Sequence, residues 1–389
     1  MKSLKKAALR IFKASVLLSS TMAITMTASA ADTAEANPDT TITENTYSSA
    51  LITDKNIVKQ REPLQIAEQG IFSSGGVVLQ SEGTFNPEDQ WEATGAGQTL
   101  HADHANVMYQ IPVNATEAPM IFLHGYGQSR MGWMTTPDGR PGWSDYFLRE
   151  GHSVFLVDQP RRGEVGATSV PGIITNKTLD QRWYTQFRIG RWENNQSVVN
   201  SGSQFPNDAV SLDQFFRQIT PDTSMKSDRG LDFDSVVVGK ALATTIDEVT
   251  AKTGKKPIVV THSQGGNPGW LAATYTNNIA AIITLEPGNS PATGSDSYKA
   301  IDEKKIPVVF YYGDFIDNGD PAIQATATWR DRRDNAKKFA EEMNANGGNV
   351  TVIDLPKEGI YGNDHFIFQD KNSDEVAAYV EKWIKKNVK

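Results

Sequence analysis

The sequence predicts an α/β fold, a mostly parallel central sheet flanked by helices. Three observations point to it. Short apolar runs alternate with longer helix-like segments through most of the chain, and strands alternating with helices imply crossover connections covering both faces of a parallel sheet. One β-branched run, Ile258-Val259-Val260, stops at Thr261-His262-Ser263-Gln264-Gly265-Gly266. Residues 163–233 break the alternation, as an insertion would.

In chain order, residues 1–30 place four lysines and an arginine around an apolar run that ends in Ala28-Ser29-Ala30. They read as a secretory signal peptide. An N-terminal anchor is the alternative, but the run is short and broken by Ser and Thr. Residues 31–64 read as a polar tail or linker. Residues 65–388 form the main domain, with apolar runs at 76–80, 105–113, 119–123, 153–158, 257–262, 279–285, 306–312 and 349–355. Helix-like segments cover 142–150, 234–253, 268–278, 325–346 and 373–386. The interval 163–233 holds Trp183, Tyr184, Phe187, Trp192, Phe205, Phe215 and Phe216 but no clean strand, and reads as a cap folded over the sheet.

The chain of 389 residues carries a net charge of −8, and loss of residues 1–30 would take it to −13. That balance argues against nucleic acid or an anionic membrane as a partner. After signal cleavage no membrane association is expected, and the expected location is secreted or periplasmic. The chain has no cysteine, which excludes a cysteine nucleophile and disulfides. Oligomeric state is left open, with a homodimer among the options.

A strand that turns into a helix at small-x-Ser-x-Gly-Gly has the form of a nucleophile elbow, where small neighbours permit a sharp, strained turn. Pro268 suits the first turn of the following helix. If Ser263 is a nucleophile, two N–H donors must face the carbonyl oxygen as it becomes negative. The expected donors are the backbone N–H groups of Gln264, next to the serine, and of Tyr126, in the loop His124-Gly125-Tyr126-Gly127 that follows the run at 119–123. The base follows by elimination among six histidines. His101 and His104 lie upstream without a third metal ligand nearby. His124 belongs to the oxyanion loop, His152 reads as a turn residue, and the His262 side chain is expected to point away from the active face. His365 remains, between the last strand and the last helix. Two carboxylates compete as its partner: Asp314, after the strand at 306–312 and in the commoner position for an acid, and Glu286, which closes the apolar run before Pro287-Gly288. Residue physics leaves the two nearly even.

Four motifs together resemble a known family: "HG" with "GWMTTPDGRPGWSDYFL" after it, "VDQPRRG", "THSQGG" with "ITLEPG", and "GNDHFIFQDKN". The resemblance extends over roughly residues 65–388, including "FRIGRW" and "QFP" in the cap. It is to secreted bacterial α/β-hydrolase esterases with a Ser-His-Glu triad and a large cap. It implies an α/β-hydrolase fold, a serine carboxylesterase acting on a small-molecule ester, and no metal or organic cofactor. It also selects Glu286 over Asp314 as the acid, with Ser263, His365 and the Tyr126 and Gln264 donors completing the site.

Overall fold

A computed structural model describes residues 62–88, 95–165, 167–170, 179–221 and 231–388, with side chains from 235 in the last span. The leader expected at 1–30, and all but the last three residues of the tail expected at 31–64, lie outside the described residues.

The strands are β1 (Ile66–Ser74), β2 (Val77–Gln80), β3 (Thr99–Ala102), β4 (Ala105–Pro112), β5 (Met120–Leu123), β6 (Val154–Asp158), β7 (Gly190–Glu193), β8 (Gln196–Val199), β9 (Ile258–His262), β10 (Ala281–Leu285), β11 (Val308–Tyr312) and β12 (Val350–Asp354). The helices are α1 (Met131–Met134), α2 (Trp143–Arg149), α3 (Asp180–Gln186), α4 (Ala209–Arg217), α5 (Leu231–Thr253), α6 (Gly266–Tyr275), α7 (Asp296–Glu303), α8 (Gln324–Ala345) and α9 (Ser373–Asn387).

Eight strands form the central sheet in the order β1-β4-β6-β5-β9-β10-β11-β12. The pairings β1 with β4 and β4 with β6 are antiparallel, and the rest are parallel. The parallel strands β5, β6, β9, β10 and β11 are buried along their whole length, which is why they read as continuous apolar runs. Chain direction across the sheet reverses around β5, which lies between β6 and β9. The crevice at such a reversal, outside the carboxyl ends of the strands, is where open α/β sheets bind ligands. Ser263 follows β9 there.

Several sequence expectations need correction. The run at 76–80 is not part of the central sheet: β2 pairs only with β3, and its four residues are exposed. One outer strand of the central sheet is β1, with β12 at the other edge; the polar-rich β1 sequence IAEQGIFSS suits an edge that buries little. The insertion does contain strands. β7 and β8 form an antiparallel hairpin, turned by Asn194 and Asn195 at φ 49° and 60°. Two left-handed residues match the turn type that joins two-residue hairpins, and asparagine tolerates that conformation. The insertion also holds α4, capped by Asp208, whose carboxylate accepts from the Val210 and Ser211 N–H groups. His152, read as a turn residue, has a buried structural role as well. It is fully buried, with Nδ1 2.6 Å from the Ala118 carbonyl oxygen and Nε2 2.9 Å from Glu381 Oε2 on α9.

Candidate active site

Ser263 sits at φ 51°, in the left-handed region, directly after β9. A non-glycine residue held there is strained and persists only where its surroundings over-determine it. Those surroundings are tight. A Cβ on Gly125 would come within 2.9 Å of the Ser263 Cβ, and one on Gly265 within 2.5 Å of the His124 carbonyl oxygen. The loop after β5 and the turn after β9 therefore meet only because both positions are glycine. The Ser263 carbonyl accepts a hydrogen bond from the Gly288 N–H at 2.9 Å, tying the turn to the segment after β10. Neither the Tyr126 N–H nor the Gln264 N–H donates to another described residue. Both belong to the two segments that meet at Ser263.

Glu286 and His365 are brought together. Glu286 follows β10, the strand beside β9, and also has a left-handed backbone, φ 46°. Its side chain is fully buried. Oε2 lies 3.0 Å from His365 Nδ1, while Oε1 accepts from the Gly313 N–H at 2.7 Å and from Arg188 Nη2 at 2.5 Å. A buried carboxylate needs such partners to remain charged.

Asp314, the other candidate acid, is occupied elsewhere. Its Oδ1 accepts from the Phe315 N–H at 2.7 Å and its Oδ2 from the Gly362 N–H at 2.9 Å. It braces the loop that carries His365.

His365 is enclosed. Its ring stacks on Phe187 with centroids 4.6 Å apart and planes 17° apart, and Trp329 lies 4.2 Å away. Its N–H donates to the Phe187 carbonyl at 3.1 Å. Its Nε2 is buried and has no hydrogen-bond partner. Burial holds the imidazole well below its ordinary pKa, with the nearby Arg188 and Arg332 cations acting in the same direction. The ring is therefore neutral near pH 7, with Nε2 free to take a proton if Nδ1–H donates to Glu286.

The expectation for His262 fails. Its side chain does not leave the site: the ring centroid is 4.5 Å from that of His365, and Nε2 lies 3.0 Å from the His365 carbonyl oxygen. Its Nδ1 lies 2.8 Å from Gln128 Oε1, an oxygen that also accepts from the Gly125 N–H at 3.1 Å. One buried amide thus joins the β5 loop to the histidine that underlies His365.

Three residues of the site have no role in the sequence reading, Arg188, Trp329 and Gln128, and Phe187 figures there only as one of the cap's aromatics. "FRIGRW" stood out as a motif, yet nothing in its spacing showed that Arg188 would reach Glu286 from 98 residues away.

Residues 120–378 match the family described as the alpha/beta hydrolase family. The chain belongs to the α/β hydrolase family. Its central sheet, mostly parallel and flanked by helices, is that family's fold. A solved structure described as a novel bacterial esterase is 28% identical, covering 84% of this chain and 98% of its own, with a TM-score of 0.67. A curated relative from Fungal sp. (strain ATCC 74256), named "Probable secreted lipase phiG", is 28% identical over 319 residues, 71% of this α/β hydrolase and 84% of the relative. Among the described residues, no helix is long and apolar enough to cross a membrane.

Proposed function

We propose that this α/β hydrolase is a secreted or periplasmic serine carboxylesterase, acting on small-molecule esters through an acyl-enzyme on Ser263. The observation that carries the proposal is the contact of His365 Nδ1 with Glu286 Oε2 at 3.0 Å, and the strained left-handed turn at Ser263 supports it. The names of the two relatives, an esterase and a secreted lipase, support the same reaction class. The apolar leader at 1–30 supports export.

In this mechanism Glu286 holds the His365 tautomer that keeps Nε2 unprotonated. Nε2 takes the Ser263 hydroxyl proton as Oγ bonds to the ester carbonyl carbon. The carbonyl oxygen becomes an oxyanion and receives the Tyr126 and Gln264 N–H groups, which are otherwise unused. The tetrahedral species collapses and the alcohol leaves with the proton from Nε2. Water then attacks the acyl carbon, giving its proton to Nε2, and the carboxylic acid departs as Ser263 regains a proton. Arg188 balances the Glu286 charge throughout.

The decisive variant is Ser263→Ala. It should keep the wild-type circular dichroism and lose turnover of a phenyl ester on the order of 10⁶-fold, the scale for a triad serine. An organophosphate should label the wild-type protein at Ser263 and leave the variant unlabelled. Near wild-type hydrolysis by the alanine variant refutes the mechanism. Matched amide and polymer substrates, run beside the ester, separate an amidase or polyester hydrolase from an esterase.

A further inference from the structure

Between α3 of the cap and the start of α8 lies a cavity of about 630 Å³, a size typical of small-molecule sites. Neither Ser263 nor His365 lines it, although Trp329 does and its ring also lies 4.2 Å from His365. The cavity is therefore one side chain removed from the proposed site.

Its lining is unusual for a protein with eight more acidic than basic side chains. Two arginines, Arg182 and Arg332, face it, and none of its described lining residues is acidic. Every other arginine whose ion pair is described meets a carboxylate, as Arg191 meets Glu193 and Asp320 and Arg333 meets Asp317. Among the described residues Arg182 donates only to the Gln186 amide, at 3.1 Å. The Arg332 guanidinium lies over the Trp329 ring, 4.3 Å from its centroid, and burial draws its pKa below the ordinary value. Arg332 makes no ion pair among the described residues, and the Glu286 charge that acts on it is already paired with Arg188. A partly desolvated cation without a direct ion pair gains from an incoming anion.

The start of α8 adds to the same potential. Ile323, Gln324 and Ala325 line the cavity. This helix of 22 residues has no capping side chain and no acidic residue in its first turn. Helix N-termini carry unpaired N–H groups and a partial positive charge. The remaining wall is aromatic, formed by Trp192 of the β7–β8 hairpin and by Trp329. A bare inorganic anion would leave most of the volume and both indoles uncovered.

We propose that this cavity binds an organic monocarboxylate, with the carboxylate held by Arg182 and Arg332 at the start of α8 and the apolar body against Trp192. A guanidinium fork matches a carboxylate in two parallel hydrogen bonds. The site uses none of the residues proposed to cleave an ester, so it stands whether or not that chemistry does.

Calorimetric titration of the full chain with 4-phenylbutyrate, 4-phenylbutyramide and inorganic phosphate tests it. The carboxylate should bind at one site per chain, at least tenfold more tightly than the amide or phosphate. Arg182→Gln, an exposed substitution, and Arg332→Gln should each weaken the carboxylate tenfold or more. Ser263→Ala should bind it as the wild type does. The proposal is overturned if the carboxylate gives no binding, if the amide or phosphate binds equally well, or if Arg182→Gln keeps full affinity while folded. Loss of binding in Ser263→Ala would move the ligand to the other site and overturn it as well.

Discussion

Arg188 of the cap and Glu286 at the end of β10 stand 2.5 Å apart, and both side chains are buried. Arg188 also donates from Nε to the Asp314 carbonyl at 3.1 Å. Its own backbone is left-handed, φ 65°, and its carbonyl accepts from Asn200 Nδ2 at 2.6 Å. The insertion thus supplies the counter-charge to a carboxylate that belongs to the sheet.

The two carboxylates that were equal on residue physics are expected to separate under mutation. Glu286→Gln removes the charge that fixes the His365 tautomer, and the loss in turnover should be about 10⁴-fold by the serine-protease precedent. Asp314→Asn keeps one oxygen for its two N–H donors and should lower stability by about 1–3 kcal/mol with a much smaller effect on turnover. Steady-state rates on one ester, with melting curves for both proteins, decide the order. A larger rate loss for Asp314→Asn in folded protein refutes the assignment of Glu286.

Arg188→Gln has a signature that a purely structural role lacks. Burial and the Arg188 cation both depress the His365 pKa, so the neutral base persists below pH 6.5 and the wild-type kcat/KM should hold to below that pH. Removing the cation raises the His365 pKa, and the acid limb of the profile should move to higher pH as kcat falls. The unpaired Glu286 should also cost about 3–5 kcal/mol of stability. Arg188→Lys should restore part of both losses. A lowered melting temperature with an unmoved acid limb would leave Arg188 as packing alone.

Asp364, next to His365 in sequence, and Asp370 form a buried, interacting carboxyl pair. Asp364 Oδ2 and Asp370 Oδ1 lack partners, and burial pushes Asp370 up to about 7 and Asp364 well above its ordinary value. The folded chain keeps a proton there that the unfolded chain releases near pH 4. Through Asp370, stability should therefore fall as pH rises from about 4 to about 7, by up to about 1.4 kcal/mol per pH unit, and the raised Asp364 acts in the same direction. Asp370→Asn removes one titration and relieves Asp364, so denaturant unfolding should show a flatter profile and a gain at pH 8. An unchanged slope counts against the retained proton.

The buried strands were legible because parallel strands covered on both faces leave continuous apolar runs, as at Ile258–His262 and Val308–Tyr312. Ser263, Glu286 and His365 were legible because each ends a strand or precedes the last helix. Arg188 and Phe187 were not. Their contacts join residues 98 and 178 positions apart, and a cap without a repeating pattern gives no register from which to infer them. β1 was lost for a different reason: an edge strand facing solvent has no apolar run to read. The β7–β8 hairpin carried a signal in Asn194-Asn195, hidden by the short, mixed strands on either side.

Insertions in this architecture are places where substrate preference can diverge while the scaffold stays constant. Here one dipeptide limits that freedom. Phe187 stacks on the imidazole and its carbonyl accepts from the His365 backbone N–H, while Arg188 holds the glutamate. A chimera that imported another relative's insertion would have to bring equivalents of both positions or leave the sheet with an unsupported base and an unbalanced acid. The neighbouring hairpin Gly190–Val199 bears no such duty toward the imidazole, so divergence has room to accumulate two residues away from where it is forbidden.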